Sequence, residues 1–265
     1  MIEIDFWNGN RSGIRQRYER EILDAILKAT VETHGNYQIQ ESFTDYSGIE
    51  ESGAFSEKNH HLLVTIAGNQ KFSDEEKIVI SKPIAKNLLG YRILIIKNKD
   101  IEKFKEVSDN QLLKKYAQGI PETWSDAAIF RYNNFNVIEE GTFDDIFEQL
   151  SDGKFDYVTF GANEVLSVFE NRASKLKTLE IESNLLIFYP FPLVFYVNPS
   201  MPKLAERVEE GLKNITDSGE LDAIFNTYYA NIVQVLQLDK RTLFVLENPL
   251  IPKEFANILP NLAGL

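Results

Sequence analysis

Apolar residues along the chain recur at two spacings, and the switches between them outline the elements. Ile2, Ile4 and Phe6 alternate with Glu3 and Asp5, the period-two signature of a strand with one buried face. Asn8-Gly9-Asn10 reads as a turn. Tyr18, Ile22, Ala25, Ile26 and Ala29 then fall at helical spacing, with Ser12 as a candidate cap and Gly35 as a stop. Tyr37-Gln38-Ile39-Gln40 resumes alternation. Residues 45–60 are weakly patterned and predict a loop with at most a short helix. The run from His61 to Ala67 predicts a buried strand ending at Gly68-Asn69, and Ile78-Val79-Ile80 a short one. Gly90 to Ile96 is the most strand-like stretch of the first half.

A second α/β pattern follows the charged run from Lys97 to Lys105. Tyr116 to Trp124 reads as a loop, with Ser125 or Asp126 placed to cap the next helix, and Asn136-Val137-Ile138 as a strand. Thr142 with Asp145 has capping-box spacing ahead of Phe143, Ile146, Phe147 and Leu150, and Gly153 suits a left-handed stop. Phe155 to Phe160 predicts a strand, followed by Gly161 and a helix over 164–169. Leu185 to Val197 is one apolar run. Leu204, Val208, Leu212 and Ile215 form one helical stripe; Leu221, Ile224, Phe225 and Tyr228 form another beyond Gly219. From Arg241, with Pro249, Pro252 and Pro260, the tail reads as extended chain lying on a lobe. Strands alternating with helices of this length predict an α/β protein with mostly parallel, covered sheets.

Composition narrows the function more than the fold. With 43% hydrophobic and 12% aromatic residues in 265, the chain can bury one large core or two compact ones. A net charge of −12 argues against general nucleic-acid or anionic-membrane binding. The absence of cysteine removes thiolate nucleophiles, disulfides and cysteine metal sites. The run from Leu185 to Val197 is too short to span a bilayer and is interrupted by Pro190 and Pro192, so no membrane insertion is expected. There is no GxGxxG, GxxxxGK[ST] or GxSxG. His60 and His61 point to opposite faces of a strand and cannot chelate one ion together; neither metal nor cofactor is expected.

Four segments, in register, resemble the type II periplasmic solute-binding proteins of the family 3-like kind. "LLVTIAGNQKFSDEEKIVI" resembles their strand, loop and T-x-x-R region, and "LLGYRILIIKNKD" their first crossing between lobes. "GTFDDIFEQLSDGKFDYVTFGANEV" resembles their second-lobe helix, turn and strand. "LVFYVNPSMPKLAERVEEGLKNITDSGELDAIFNTYY" resembles the return crossing and closing helices. "GIPETWSDAAIFRYNNFNV" and "RTLFVLENPLIP" resemble a bacterial subgroup of transporter-like binding domains.

The resemblance implies two α/β lobes joined by two crossing strands, lobe one being 1–97 plus 193–265 and lobe two 98–192. It implies a non-catalytic monomer that captures a small molecule in an interlobe cleft by hinge closure. It would serve a membrane permease or a sensor in the periplasm, its leader removed. By position, the ligand-binding residues would be Trp7, Asn8, Asn10, Gly68, Asn69 and Lys71 in lobe one. In lobe two they would be Trp124, Ser125, Asp126, Thr142, Phe160, Gly161 and Asn163. Departures from the pattern are equally informative. Ser73-Asp74-Glu75-Glu76 places acid where amino-acid binders carry a carboxylate-clamping arginine, and their amine-binding aspartate falls near Gly161. An ordinary α-amino acid is therefore not the expected ligand, and Arg92 or Arg131 is left as the replacement clamp. Two alternatives stay open: a dehydratase-like enzyme on the same scaffold using Asp126 or Glu164, and a degenerate domain acting as a sensory or interaction module.

Overall fold

A computed structural model describes residues Met1–Leu265. The chain divides into two compact units, each assembled from separated stretches: Met1–Lys86 with Pro192–Ala230, and Asn87–Phe191 with Asn231–Leu265.

The first unit is built on a five-stranded sheet in the order β2-β1-β3-β11-β4. Its strands are β1 (Ile2–Trp7), β2 (Tyr37–Ser42), β3 (Leu62–Ile66), β4 (Ile78–Ile80) and β11 (Leu193–Val197). β1 runs parallel to both β2 and β3, whereas β11 is antiparallel to β3 and β4. All five residues of β11 are buried, which is why that segment reads as a continuous apolar run rather than an alternation.

The stripe from Tyr18 to Ile26 drives a helix over Gly13–Lys28, and the stripe from Leu204 to Ile215 one over Pro202–Asp217, with Pro202 at its first turn. Where these two helices pack, Gly211 lets the backbones approach: a Cβ there would stand 2.4 Å from the Ile26 carbonyl oxygen. Arg207, 2% exposed, reaches across to the end of the first helix. It donates to Leu27 O, Gly35 O and Thr30 Oγ1 at 2.9, 2.9 and 3.0 Å. It thereby satisfies carbonyls that a helix C-terminus leaves open, and places a cation at the negative end of the dipole. Gly219 in the left-handed conformation starts the next helix, Glu220–Tyr229, whose Phe225 and Tyr229 close over Tyr18.

The second unit carries a seven-stranded sheet, β12-β10-β5-β8-β6-β7, with β9 also on β5. These are β5 (Tyr91–Lys97), β6 (Ala117–Ile120), β7 (Asn136–Glu139), β8 (Tyr157–Gly161), β9 (Leu179–Ile181), β10 (Leu185–Phe188) and β12 (Thr242–Val245). β5 is buried along its whole length. It pairs antiparallel with β8 on one side, and with β9 and β10 in succession on the other. β6 is parallel to β7 and β8. Helices Ser125–Tyr132, Ile146–Asp152 and Val165–Asn171 complete the unit, the second stopped by Gly153 at φ 85°.

Several expectations are corrected. Ala117–Ile120 is a strand, not part of a loop. The apolar run from Leu185 is two strands, parted at Tyr189–Pro192 and belonging to different sheets. Trp124, rather than Ser125 or Asp126, is the capping position of its helix. The Thr142–Asp145 box forms, but on a turn, and the helix begins after it. The tail joins the second unit: β12 runs parallel to β10, and Arg241 donates to the carbonyls of Glu182 and Leu185 at 2.6 and 3.0 Å. Asn87–Lys97 likewise lies with the second unit, because β5 is central to that sheet. The chain thus passes between units three times rather than two.

Candidate functional site

In the first unit, the loops leaving the C-terminal ends of the parallel strands β1 and β3 carry the expected residues. Trp7, 6% exposed, is held by its own unit: Nε1 donates to Thr44 O at 2.9 Å and the indole lies parallel to His60 at 5.9 Å. His60, buried, contacts Asp5 through Nδ1 at 2.8 Å and the Tyr46 hydroxyl through Nε2 at 3.0 Å, which pins the loop after β2 to the sheet. Asn8 donates to Gln16 O and Glu41 Oε1, and accepts from Asn10 Nδ2. Asn10 also donates to Glu19 and accepts from Ser12 N. These two asparagines therefore build the turn.

Gly68 at φ 78° ends β3, its N–H meeting the Tyr196 hydroxyl. Asn69 caps the following short turn by accepting from Lys71 N and donating to Thr65 Oγ1. Lys71 Nζ lies 2.9 Å from Glu51 Oε2. Glu75, 8% exposed, turns Oε1 inward to accept from Phe55 N, Ser56 N and Ser56 Oγ and so ties down a loop, whereas Glu76, at the fourth position of Ser73-Asp74-Glu75-Glu76 where the arginine was expected, is exposed.

The second unit brings its expected residues together more tightly. Arg92 and Gly161 are register partners across β5 and β8. Arg92, 2% exposed, puts Nη2 2.7 Å from Asp126 Oδ1 and donates to the carbonyls of Thr159 and Leu89. The Tyr189 hydroxyl donates to the same Asp126 oxygen at 2.6 Å. Burial drives the Tyr189 phenol far above its ordinary range; Arg92 counteracts this, while Asp126 and Glu164 push the same way as burial. Glu164 accepts from Gly161 N. A Cβ on Gly161 would stand 2.6 Å from both Asn163 Oδ1 and Leu89 Cδ1 and 2.9 Å from Leu89 O, so glycine is the residue that fits. Asn163 Oδ1 and Ser125 Oγ are buried without a hydrogen-bond partner.

Trp124 stacks on Phe143 at 6.2 Å and meets Phe160 edge-on at 6.1 Å. Phe160, 1% exposed, also stacks on Phe147, so it is a core residue. Thr142 is exposed and bonded to Asp145. Arg131 pairs with Glu139 at the surface. Tyr189 was not legible as a site residue, since a tyrosine in an apolar run reads as core. No group of three or more histidine and carboxylate side chains is placed to hold a metal ion.

No protein-family model matches the chain, and no curated protein does. Solved structures do. An ancestral arginine-binding protein bound to arginine superposes at TM-score 0.60 and 13% identity, over 86% of this chain and 98% of that one. A Salmonella typhimurium periplasmic binding protein with high arginine specificity superposes at 0.61 and 11%, over 86% and 100%. A histidine kinase sensor domain similar to periplasmic binding proteins superposes at 0.59 and 14%, over 86% and 95%. The chain has the type II periplasmic-binding fold. At these identities the shared property is that fold, in which binding proteins and a sensor domain are represented among the neighbours. No helix is long and apolar enough to cross a membrane.

Proposed function

We propose that this protein is a non-catalytic solute-binding protein, located in the periplasm or outside the cell, that captures a small molecule and presents it to a membrane permease or a sensor. The observation that carries this reading is the match of its fold, over 86% of the chain, to proteins whose work is binding. The buried Arg92, Asp126 and Tyr189 network with Ser125 and Asn163 beside it, and Trp124 at the half-buried edge, supplies the polar and aromatic groups such a site uses. Trp7, Asn8, Asn10 and Lys71 serve in this reading as supports of the first unit's loops. Gly68 and Asn69 are kept as its contact residues.

Hinge closure is part of the proposal. A fall in the radius of gyration on adding ligand, measured by X-ray scattering, is its readout. The direct test is thermal melting across a broad metabolite panel. A ligand at a hundred times its Kd adds about 2.7 kcal/mol and a clear rise in Tm. A panel that leaves Tm unmoved removes the reading.

One second reading has an observation behind it: the sensor-domain neighbour favours a module whose ligand-bound state is read by a partner protein. The dehydratase alternative has less support. The Asp126 carboxylate is tied to Arg92 and Tyr189, whereas a general acid or base needs a proton it can exchange with substrate.

A further inference from the structure

The seven-stranded sheet ends at β12, and no strand of the chain extends it further. β12 bonds to β10 through alternate residues: Thr242 N donates to Asn184 O at 2.7 Å and Leu246 N to Phe188 O at 2.8 Å. The two strands run parallel, with Leu185 beside Thr242 and Phe188 beside Val245. Pairing of this kind turns the N–H and C=O of Leu243 and Val245 to the opposite side, away from β10. No segment of the chain meets them there. The Leu243 and Val245 side chains are 39% and 53% exposed, whereas Phe244 between them is buried.

This edge is closed at one end only. The Asn133 amide takes both backbone groups of Glu247, donating to its O at 2.7 Å and accepting from its N at 3.1 Å, as an adjoining strand would. The other terminal strands are protected. β2 exposes Gln38 and Gln40, β7 exposes Asn136, and β4 is three residues long with none exposed. A free edge ordinarily carries a lysine, a proline or a bulge that discourages pairing. Thr242-Leu243-Phe244-Val245 has none, and its register on β10 is unbroken.

The pattern is self-complementary. An antiparallel strand of the same sequence, centred on Phe244, sets Leu243 of each copy opposite Val245 of the other, each pair exchanging both of its N–H···O bonds. Charge favours the same arrangement. Lys240 is the exposed charge nearest the start of the strand and Glu247 the one nearest its end, so the basic end of each copy meets the acidic end of the other. Glu247, already held by Asn133, confines the pairing to this short stretch, a limit that two identical edges share and a longer foreign strand does not.

We propose that β12 is a self-association edge on which a second copy of this chain docks, joining two second units into one continuous sheet about a two-fold axis. This departs from the monomer that the resemblance implies. The hydrogen bonds of one short strand pair fall short of the roughly ten of a typical stable interface, so the association is reversible and sets in as concentration rises.

Sedimentation velocity of the full chain over a rising concentration series tests this. The parent protein is expected to shift from monomer to dimer and no further, because the two edges consume each other. Val245→Pro removes an N–H that β10 does not use, and is expected to weaken association at least about tenfold. Leu243→Lys with Val245→Lys sets like charges opposite one another and is expected to abolish the dimer. Leu243→Lys with Val245→Glu sets opposite charges together in the antiparallel register and is expected to keep it. Both positions are exposed, so these two pairs give a readout should the proline disturb the strand. A parent that stays monomeric throughout, leaving the edge to some other protein, overturns the inference. So does a dimer that the proline and double-lysine variants both retain, or growth beyond two copies.

Discussion

Arg92 Nη2 and Asp126 Oδ1 are 2.7 Å apart, with side chains only 2% and 7% exposed, so two full charges share a site that water scarcely reaches. The net worth of such a pair is small, because desolvation offsets most of the Coulomb attraction; removing one partner is what costs. Asp126→Ala removes the carboxylate 2.7 Å from the buried Arg92 guanidinium and is expected to destabilise the protein by about 3–5 kcal/mol. The double variant Arg92→Met with Asp126→Leu is expected to recover most of that loss. Denaturant unfolding of the four proteins in a double-mutant cycle decides it. Equal losses in the single and double variants would contradict this account.

Gly161→Ala is expected to cost about 1–3 kcal/mol, since the added methyl meets a backbone carbonyl that cannot move without shifting Leu89. The urea midpoint should fall with an unchanged m-value. A stabilised variant would show that the β8 end is looser than described.

The fork of Arg207 reaches three acceptors, Thr30 Oγ1, Leu27 O and Gly35 O, and lies against the Tyr37 ring. An ammonium keeps the charge but not that geometry. Arg207→Lys is expected to lose about 1–3 kcal/mol, with faster amide exchange at the end of the Gly13–Lys28 helix. A melting temperature equal to that of the parent would mean that charge alone suffices there.

Alkaline pH probes the phenols. The Tyr37 hydroxyl donates to Asp24, and burial together with that bond pushes its pKa up to about 12; Tyr228, beside Glu21, is likewise pushed up to about 12. An unfolded tyrosine ionises near 10. Because the folded values are raised, this contribution to stability is fully present below about pH 10 and is lost as pH climbs through about 12. Unfolding free energy should decline over that window, with tyrosinate absorbance lagging behind model phenol. Tyr37→Phe should flatten part of the slope; an unchanged slope would remove Tyr37 from the explanation.

Strongly periodic segments were readable from sequence because burial on one face imposes the period directly. The stripe Leu204, Val208, Leu212 and Ile215 became the buried face of a helix, and β1, β3 and β5 fell where alternation or continuous apolarity placed them. β6 was hidden because Gln118 and Gly119 carry no strand signal; its pairing with β7 and β8 makes it a strand. β12 was hidden for a related reason, since its partner β10 is remote in sequence and prolines follow it. The site was half legible. Residue types and positions such as Arg92, Ser125, Asp126 and Asn163 were marked out, but which charge would engage which was not. Arg92 lies on β5 and Asp126 in the first turn of the Ser125 helix, remote from it in sequence, so only the folded chain brings them to 2.7 Å. Trp7 was marked out by position as well, but that its N–H would donate to the Thr44 carbonyl could not be read from sequence.

Each sheet is completed by a strand made late. β11 joins β3 and β4 after the other strands of its sheet have been synthesised, and β12 is added to β10 close to the final residue. The first sheet therefore cannot close its hydrogen-bond ladder until Val197 has been made, nor the second until Val245. Such distant pairings slow folding and leave strand edges and apolar surface exposed to aggregation in the meantime.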